Sequence, residues 1–440
     1  MRHRTPAGLR GSGRAARARA SLPRAPLVLP ALDVGAALRA RVGARPRAVV
    51  LVDRHGTLTG GELLDLVRLH RSGTATADRA GLAALPAEAS LRQVLAAVLA
   101  GPEMLELRSS GSTGAPRPQR RGPLSPAQLL SLVDLARRIG LRPGRVTACA
   151  APGVHGHGLV ATLGALALGS PLVDLTHLPA AERVALLHRT SPALLTGVPV
   201  HLADLLRADR ELGGGRPLAI DRVVAGSDAL SPVLRADLAR HFRARVHDVY
   251  GTTETGSLCV DGRPLHGVHL RELDGLLCAR TPFTGGRELV TDRGEITADG
   301  RVRVLGRADG SVSSGGMLHD PAATVRVLRS APGVASARLQ VVPDARFGVR
   351  TLAEVVLAPA AADAVPPSAE ELRTLVRDRL GAAAVPREVR ILPPGAASAA
   401  PSGPDGEGPA PSGEGPSAPW GPGGPMDVPL SSPGRWPAPR

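Results

Sequence analysis

From residue 47 onward, short apolar runs alternate with longer amphipathic ones. AVVLVD (48–53) is a continuous apolar run of strand length, whereas GELLDLVRLH (61–70) repeats its apolar positions at helical spacing. PAQLLSLVDLARRIG (126–140) reads as a second helix closed by its glycine. VTACAA, a glycine-rich turn, LVATLGALALG and PLVDL follow, and then IDRVVAG and ARVHDVYG, which look like buried strands delivering residues to a site. The alternation predicts an α/β fold over residues 47–305. Residues 306–393 predict a smaller α+β unit, with RVRVLG at its entrance, strands ARLQVVP, LAEVVLA and REVRIL, and the helix SAEELRTLVRDRLG. Residues 1–46 read as a disordered basic leader, and a start site placed too early would leave the same segment. From Pro394 to residue 440 large apolar side chains almost vanish, so the tail is also expected to be disordered.

Composition changes this picture in two ways. Arginine is abundant and the net charge is +15, yet the chain has no lysine and no asparagine, and aromatics make up 1%. GC-rich coding explains all of these together, so the arginines do not argue for nucleic-acid binding, which would also need aromatics for base stacking. The absence of lysine excludes Schiff-base chemistry and any P-loop lysine. Cys149, Cys259 and Cys278 are too few and too scattered for a disulfide framework and read as buried small hydrophobes in a reducing cytoplasm. No apolar run reaches the ~18–20 residues that span a bilayer.

Three segments carry candidate chemistry. SSGSTGAPRPQRR (109–121) is a Ser/Gly-rich loop whose N–H and hydroxyl groups can converge on phosphate oxygens, with Arg117, Arg120 and Arg121 as counter-charges. VYGTTETG (249–256) holds Tyr250, the sole tyrosine, as a flat surface for a base, and Glu254 as a hard oxygen ligand suited to Mg²⁺. VTDRGEITADGRVRVLGRADG (290–310) reads as two strands joined at Asp299 and Gly300, with Asp292 able to hold vicinal hydroxyls and Arg307 able to orient a phosphate or ribose. Taken singly, each also fits a plain structural role: a surface linker, a capped strand end, a solvated hairpin.

Together these segments resemble, in order and wording, the adenylate-forming superfamily of acyl-CoA synthetases, peptide-synthetase adenylation domains and luciferases. PGVHGHGL, LLTGVPVHLADLL and VVAGSDALSP fall between them in the family's order, and LGRADGSVSSGG resembles its hinge; the likeness spans about residues 105–393. The resemblance implies a large α/β adenylation domain and a small C-terminal domain. Ser109, Ser110, Gly111, Ser112, Thr113 and Gly114 would cradle the phosphates, with Arg117 beside them. Gly226, Ser227 and Asp228 would border adenine, Tyr250 would stack on it, and Gly251 and Thr252 belong to the same cofactor-binding segment. Thr253 would contact the α-phosphate, Glu254 would ligate Mg²⁺, Asp292 would bind the ribose, and Arg307 would contact ribose and phosphate. His155 would sit at the acyl pocket, where small residues such as Ala225 and Gly226 suggest room, and Asp309 would be the hinge. The implied reaction joins ATP and a carboxylic acid into an acyl-adenylate, then transfers the acyl group to the thiol of coenzyme A or of a carrier protein's phosphopantetheine.

Three departures mark this chain. The family's C-terminal catalytic lysine has no counterpart after REVRIL, its phosphate-loop lysine is replaced by Arg117, and the region before the phosphate loop is short. They imply weakened adenylation, with a degenerate regulatory or scaffolding protein of the same fold as the alternative. Other readings explain less. Gly156, Gly158 and Ala161 fit a dinucleotide fingerprint with Asp174 at a fitting offset, but Pro152 and Gly153 separate it from its strand. His155, His157 and Cys149 lack a second metal-ligand pair, and no G-x-S-x-G elbow is present.

Overall fold

The computed structural model describes residues 31–72, 81–101, 105–108, 118–315, 317–344, 346–359 and 366–392. Its centre is a nine-stranded sheet with the spatial order Arg263–Pro264, Gly256–Val260, Arg245–Thr252, Arg222–Gly226, Leu194–Gly197, Thr147–Cys149, Leu172–Asp174, Val49–Asp53, Gly56–Thr59. The strands from Arg245–Thr252 through Val49–Asp53 pair in parallel, and antiparallel strands close both edges. A parallel sheet must be covered on both faces, and the alternation of side chains does this here. Leu172, Leu194 and Val224 point into one apolar cluster, and Val173, Leu195 and Val223 into the other. Helices Ala180–Thr190, Pro199–Leu212 and Pro232–His241 cover the second face; Gly60–Ser72, Leu91–Ala100 and Gly156–Leu168 cover the first.

The helix Pro126–Ile139 starts on a Ser125–Gln128 capping box and ends at Gly140 in the left-handed conformation (φ +77°), as its sequence predicts. Part of the presumed leader, by contrast, is folded. Val34–Gly43 is a helix that buries Leu38 and Val42, and its arginines close other helices. Arg39 donates to the Leu99 carbonyl at 2.6 Å and Arg41 to the Leu168 carbonyl at 3.4 Å, both at helix C-termini where unpaired carbonyls attract cations.

Beyond the sheet, His269–Leu273, Leu276–Arg280, Glu288–Ile296 and Val302–Arg307 form an antiparallel four-stranded sheet. The hairpin Val312–Ser314 with Met317–His319 leads to the small unit. There Val334–Asp344, Gly348–Leu357 and Glu388–Leu392 form a sheet, and helices Pro321–Arg329 and Ala369–Leu380 complete its own core around Leu328, Val355 and Val376. The small unit touches the large one through charge and through an aromatic ring: Arg346 makes two contacts of 2.7 Å with the Asp204 carboxylate, and Phe347 packs against the large unit's apolar cluster. Phe347 also lies under the guanidinium groups of Arg346 (4.7 Å) and Arg387 (3.9 Å). No helix among the described residues is long and apolar enough to cross a membrane.

Candidate active site

Parallel sheets present their ligand sites at the carboxyl ends of the strands, where the loops splay apart. Five strands end in that way around one open cleft of about 2230 Å³. Its wall includes His155, Ser227, Asp228, Tyr250, Gly251, Thr252, Thr253, Glu254, Asp292 and Arg307. The structure therefore brings together sequence-predicted residues separated by some 150 positions in the chain. Ser109, Ser110, Gly111, Ser112, Thr113, Gly114 and Arg117 lie outside the described residues.

The centre of the cleft is a charge cluster built by register. In the antiparallel pair of Glu288–Ile296 and Val302–Arg307, Asp292 stands opposite Arg307. Asp292 is 3% exposed, and its Oδ1 lies 3.0 Å from Arg307 Nη1. From the central sheet, the Tyr250 hydroxyl donates to Asp292 Oδ2 at 2.6 Å and lies 3.0 Å from Thr291 Oγ1, which itself donates to the Leu277 carbonyl. Burial raises the Asp292 carboxyl above its usual range, with Arg307 and the phenol opposing that shift in part. Burial and the neighbouring carboxylate likewise raise the Tyr250 phenol, which stays protonated as a donor. Arg307 reaches on to Ser311 Oγ at 3.3 Å and Asp309 Oδ2 at 3.5 Å. Asp309 sits in the exposed turn that follows and accepts from the Ser311 amide at 3.0 Å.

The turn after Tyr250 is held by its own threonines and by Arg121. Thr252 and Thr255 bond each other through their hydroxyls at 3.0 Å. Arg121 donates to the carbonyls of Thr253 and Glu254, the latter at 3.0 Å, and to Phe283 O at 3.3 Å, with its guanidinium over the Phe283 ring. This corrects the sequence reading of Arg121 as a free phosphate counter-charge: it clamps the backbone of the loop. Glu254 extends from the clamped loop, exposed, into the cleft. Among the described residues no group of three His, Cys, Asp or Glu converges on an all-protein metal site. A single open carboxylate fits Mg²⁺, which takes one or two carboxylates plus substrate phosphates.

A second correction concerns Gly226. Its missing side chain leaves no room for an acyl group, because a Cβ there would come within 2.5 Å of His157 Nδ1. The imidazole fills that space and bonds Thr196 Oγ1 through Nε2 at 2.8 Å. Ser227 follows in the left-handed conformation (φ +68°), and the Asp228 carboxylate accepts from the Ala229 amide at 2.9 Å. His155 precedes the helix Gly156–Leu168 without capping it through its side chain. Asp174, the ribose ligand of the dinucleotide reading, is buried and accepts from the Leu91 amide at 2.8 Å and from Thr176, which makes it a structural tie between strand and helix. Cys149, Cys259 and Cys278 are buried and free, as expected.

Sequence reasoning missed Asp248. It lines the cleft two residues before Tyr250, on the same face of its strand. Burial pushes its carboxyl up to about 6, and Asp261 and Asp228 add to this against Arg235. A folded-state value above the unfolded one, about 3.9, means that the native protein holds this proton longer than the unfolded chain. The stabilisation it gives is complete below about 3.9 and is lost as pH rises through about 6. Thermal unfolding of wild type beside Asp248→Asn is expected to show wild type losing stability relative to the variant across that window; parallel curves would refute it.

A large α/β unit carrying a smaller α+β unit beside an open cleft is the architecture of solved ligases. The amide bond synthetase of Marinactinospora thermotolerans aligns with a TM-score of 0.64 at 20% identity, covering 81% of this chain and 95% of that one. The o-succinylbenzoate CoA synthetase of Bacillus subtilis aligns at 0.63 and 20%, covering 81% and 94%. In sequence, the profile described as AMP-binding enzyme matches residues 108–276. A probable 2-succinylbenzoate–CoA ligase of Mycobacterium tuberculosis is 30% identical in a 318-residue alignment that covers 66% of this chain and 79% of that protein. A 4-chlorobenzoate–CoA ligase of Pseudomonas sp. is 27% identical over 61% of this chain and 58% of its own length. The chain belongs to the AMP-binding enzyme family of adenylate-forming ligases.

Proposed function

We propose that this chain is an ATP-dependent acid–thiol ligase that works through an acyl-adenylate. One observation carries the reading: the buried Asp292 carboxylate lies between the Tyr250 phenol and the Arg307 guanidinium, at the rim where the parallel strands end. A carboxylate held this way accepts from two neighbouring hydroxyls, as a ribose offers, and the guanidinium beside it faces phosphate. The Tyr250 ring then backs the base, bordered by Gly226, Ser227 and Asp228, and the Asp248 carboxyl accepts from the exocyclic amine. Thr253 reaches the α-phosphate, and the 109–114 loop with Arg117 takes the outer phosphates.

In the first step a carboxylate oxygen of the acid attacks the α-phosphorus, the bond to the bridging oxygen breaks and pyrophosphate leaves. In the second a thiolate attacks the acyl carbonyl, AMP leaves and the thiol proton passes to solvent. Glu254 would hold magnesium, which would supply charge neutralisation. The named relatives support coenzyme A as the thiol, with a carrier protein's phosphopantetheine as the other acceptor of the same chemistry. His155 borders the acid, and Asp309 is the hinge between the two domains, the larger of which includes the helix Val34–Gly43. Three buried free thiols support a reducing, cytoplasmic setting.

The chain contains no lysine, so no ammonium bridges the carboxylate and the α-phosphate during the first step. Adenylation is therefore the slow half-reaction. Following pyrophosphate release with ATP, Mg²⁺ and a panel of acids, beside thioester release from supplied acyl-adenylate, tests this. Thioester formation is expected to be faster by about a hundredfold, the usual effect of losing one charge-stabilising group. Equal rates would remove the impairment, and no binding of ATP or acyl-adenylate would remove the assignment of the site.

A further inference from the structure

The strands divide the cleft floor into two regions. Tyr250 and the 226–228 segment belong to Arg245–Thr252 and to the end of Arg222–Gly226. The next three strands in the sheet, Leu194–Gly197, Thr147–Cys149 and Leu172–Asp174, are each followed by cleft-lining histidines: His201, the pair His155 and His157, and His177. Imidazoles therefore occupy the half of the floor that the nucleotide side chains leave.

These imidazoles are not equally engaged. His157 is fixed by Thr196 and by the space at Gly226. The imidazoles of His155 and His177, both exposed to the cleft, and of His201 make no hydrogen bond or ion pair among the described residues, and His201 Nδ1 is buried in that condition. His177 also holds a left-handed backbone (φ +52°), an uncommon conformation that its surroundings must fix. Asp204, one helical turn after His201, pairs with Arg346 at 2.7 Å and with Arg207 at 3.5 Å, and the Arg183 guanidinium adds a further positive charge that, after burial, helps to keep the His201 ring uncharged. Burial lowers His155 and takes His157 and His201 down to about 4, so these rings are neutral near pH 7, each with one N–H donor and one bare nitrogen. A hydrocarbon chain laid here would leave the imidazoles facing carbon, and a second carboxylate would meet the bare acceptor nitrogens of neutral rings as well as their donors.

We infer that the acid activated by this chain carries an uncharged hydrogen-bonding group, such as a ketone, hydroxyl or amide, which His201 and His177 receive over these three strands. The inference rests on the ligase reading above and adds the class of its acid.

Three sulfamoyl analogues of the acyl-adenylate, which bind without turning over, test it on the full chain: a straight-chain alkanoyl, its keto counterpart of equal length, and the corresponding dicarboxylic one. The keto analogue is expected to bind about tenfold or more tighter than the alkanoyl one, as a newly satisfied buried hydrogen bond allows. That ratio falls to near one in His201→Leu and returns in His201→Gln. Equal binding of the keto and alkanoyl analogues, a preference for the dicarboxylic one, or a ratio unchanged in His201→Leu overturns the inference and leaves the ligase reading standing. If none of the three binds, the inference falls, and ATP binding by the same protein decides whether the ligase reading falls with it.

Discussion

Asp292→Ala is expected to abolish AMP binding and to lower the unfolding temperature. The carboxylate is 3% exposed, accepts from the Tyr250 hydroxyl and is ion-paired with the Arg307 guanidinium. Removing one partner of a buried pair leaves the other charge uncompensated, at about 3–5 kcal/mol. Arg307 keeps Ser311 and Asp309, so the lower end of that range applies. Asp292→Asn separates the two effects. It keeps the shape and an acceptor for the phenol, so most of the stability returns, but it lacks the charge that two ribose hydroxyls would meet. Two bonds to a charged acceptor, at about 1.5–3 kcal/mol each, correspond to roughly 10²–10⁴ in affinity. Calorimetric AMP titration of the Asn variant decides it, and an unchanged affinity would end the ribose assignment.

Gly251→Ala is expected to cost almost as much from a position with no side chain of its own. Gly251 stands opposite Ser257 in the antiparallel pair that leads into and out of the Thr-Thr-Glu turn. A Cβ there would come within 2.4 Å of the Gly256 carbonyl oxygen and 2.8 Å of Ser257 Cα. Both are backbone atoms, so no rotamer change relieves the overlap and the strands must part. Tyr250, Thr253 and Glu254 move with them, and a displacement of about 1 Å in a positioned group costs about a hundredfold in rate. The loss of kcat/KM should exceed that seen in Arg121→Leu, which loosens the same turn only through its carbonyl contacts. Equal activity of Gly251→Ala and wild type would show that the strands are not so tightly joined.

Why some of this was legible in the sequence and some was not follows from the range of the interactions. Asp292 and Arg307 could be read as partners because strand alternation and an Asp-Gly turn set a hairpin register within some fifteen residues. Helix Pro126–Ile139 could be read because its caps are local. The contact between His157 and Gly226 could not, because it joins the start of a helix to the end of a strand two places away in the sheet, an order no short pattern states. Arg121 was misjudged for the same reason: its partners are carbonyls more than a hundred residues away. Asp248 sits among ordinary strand residues and becomes distinctive only through burial against other carboxylates. Helix Val34–Gly43 was hidden by its arginines, which resemble leader charge until the helix ends they close are seen.

The double contact of Arg346 with Asp204 carries a consequence for handling the protein. Dissolved electrolyte shortens the reach of exposed charges to about 8 Å at physiological strength and about 3 Å at molar strength, while oil-like interiors are untouched by such screening. Brine should therefore loosen the lesser lobe on the greater, leaving the packing of Phe347 to hold them, and small-angle scattering would register the molecule lengthening before either lobe melts.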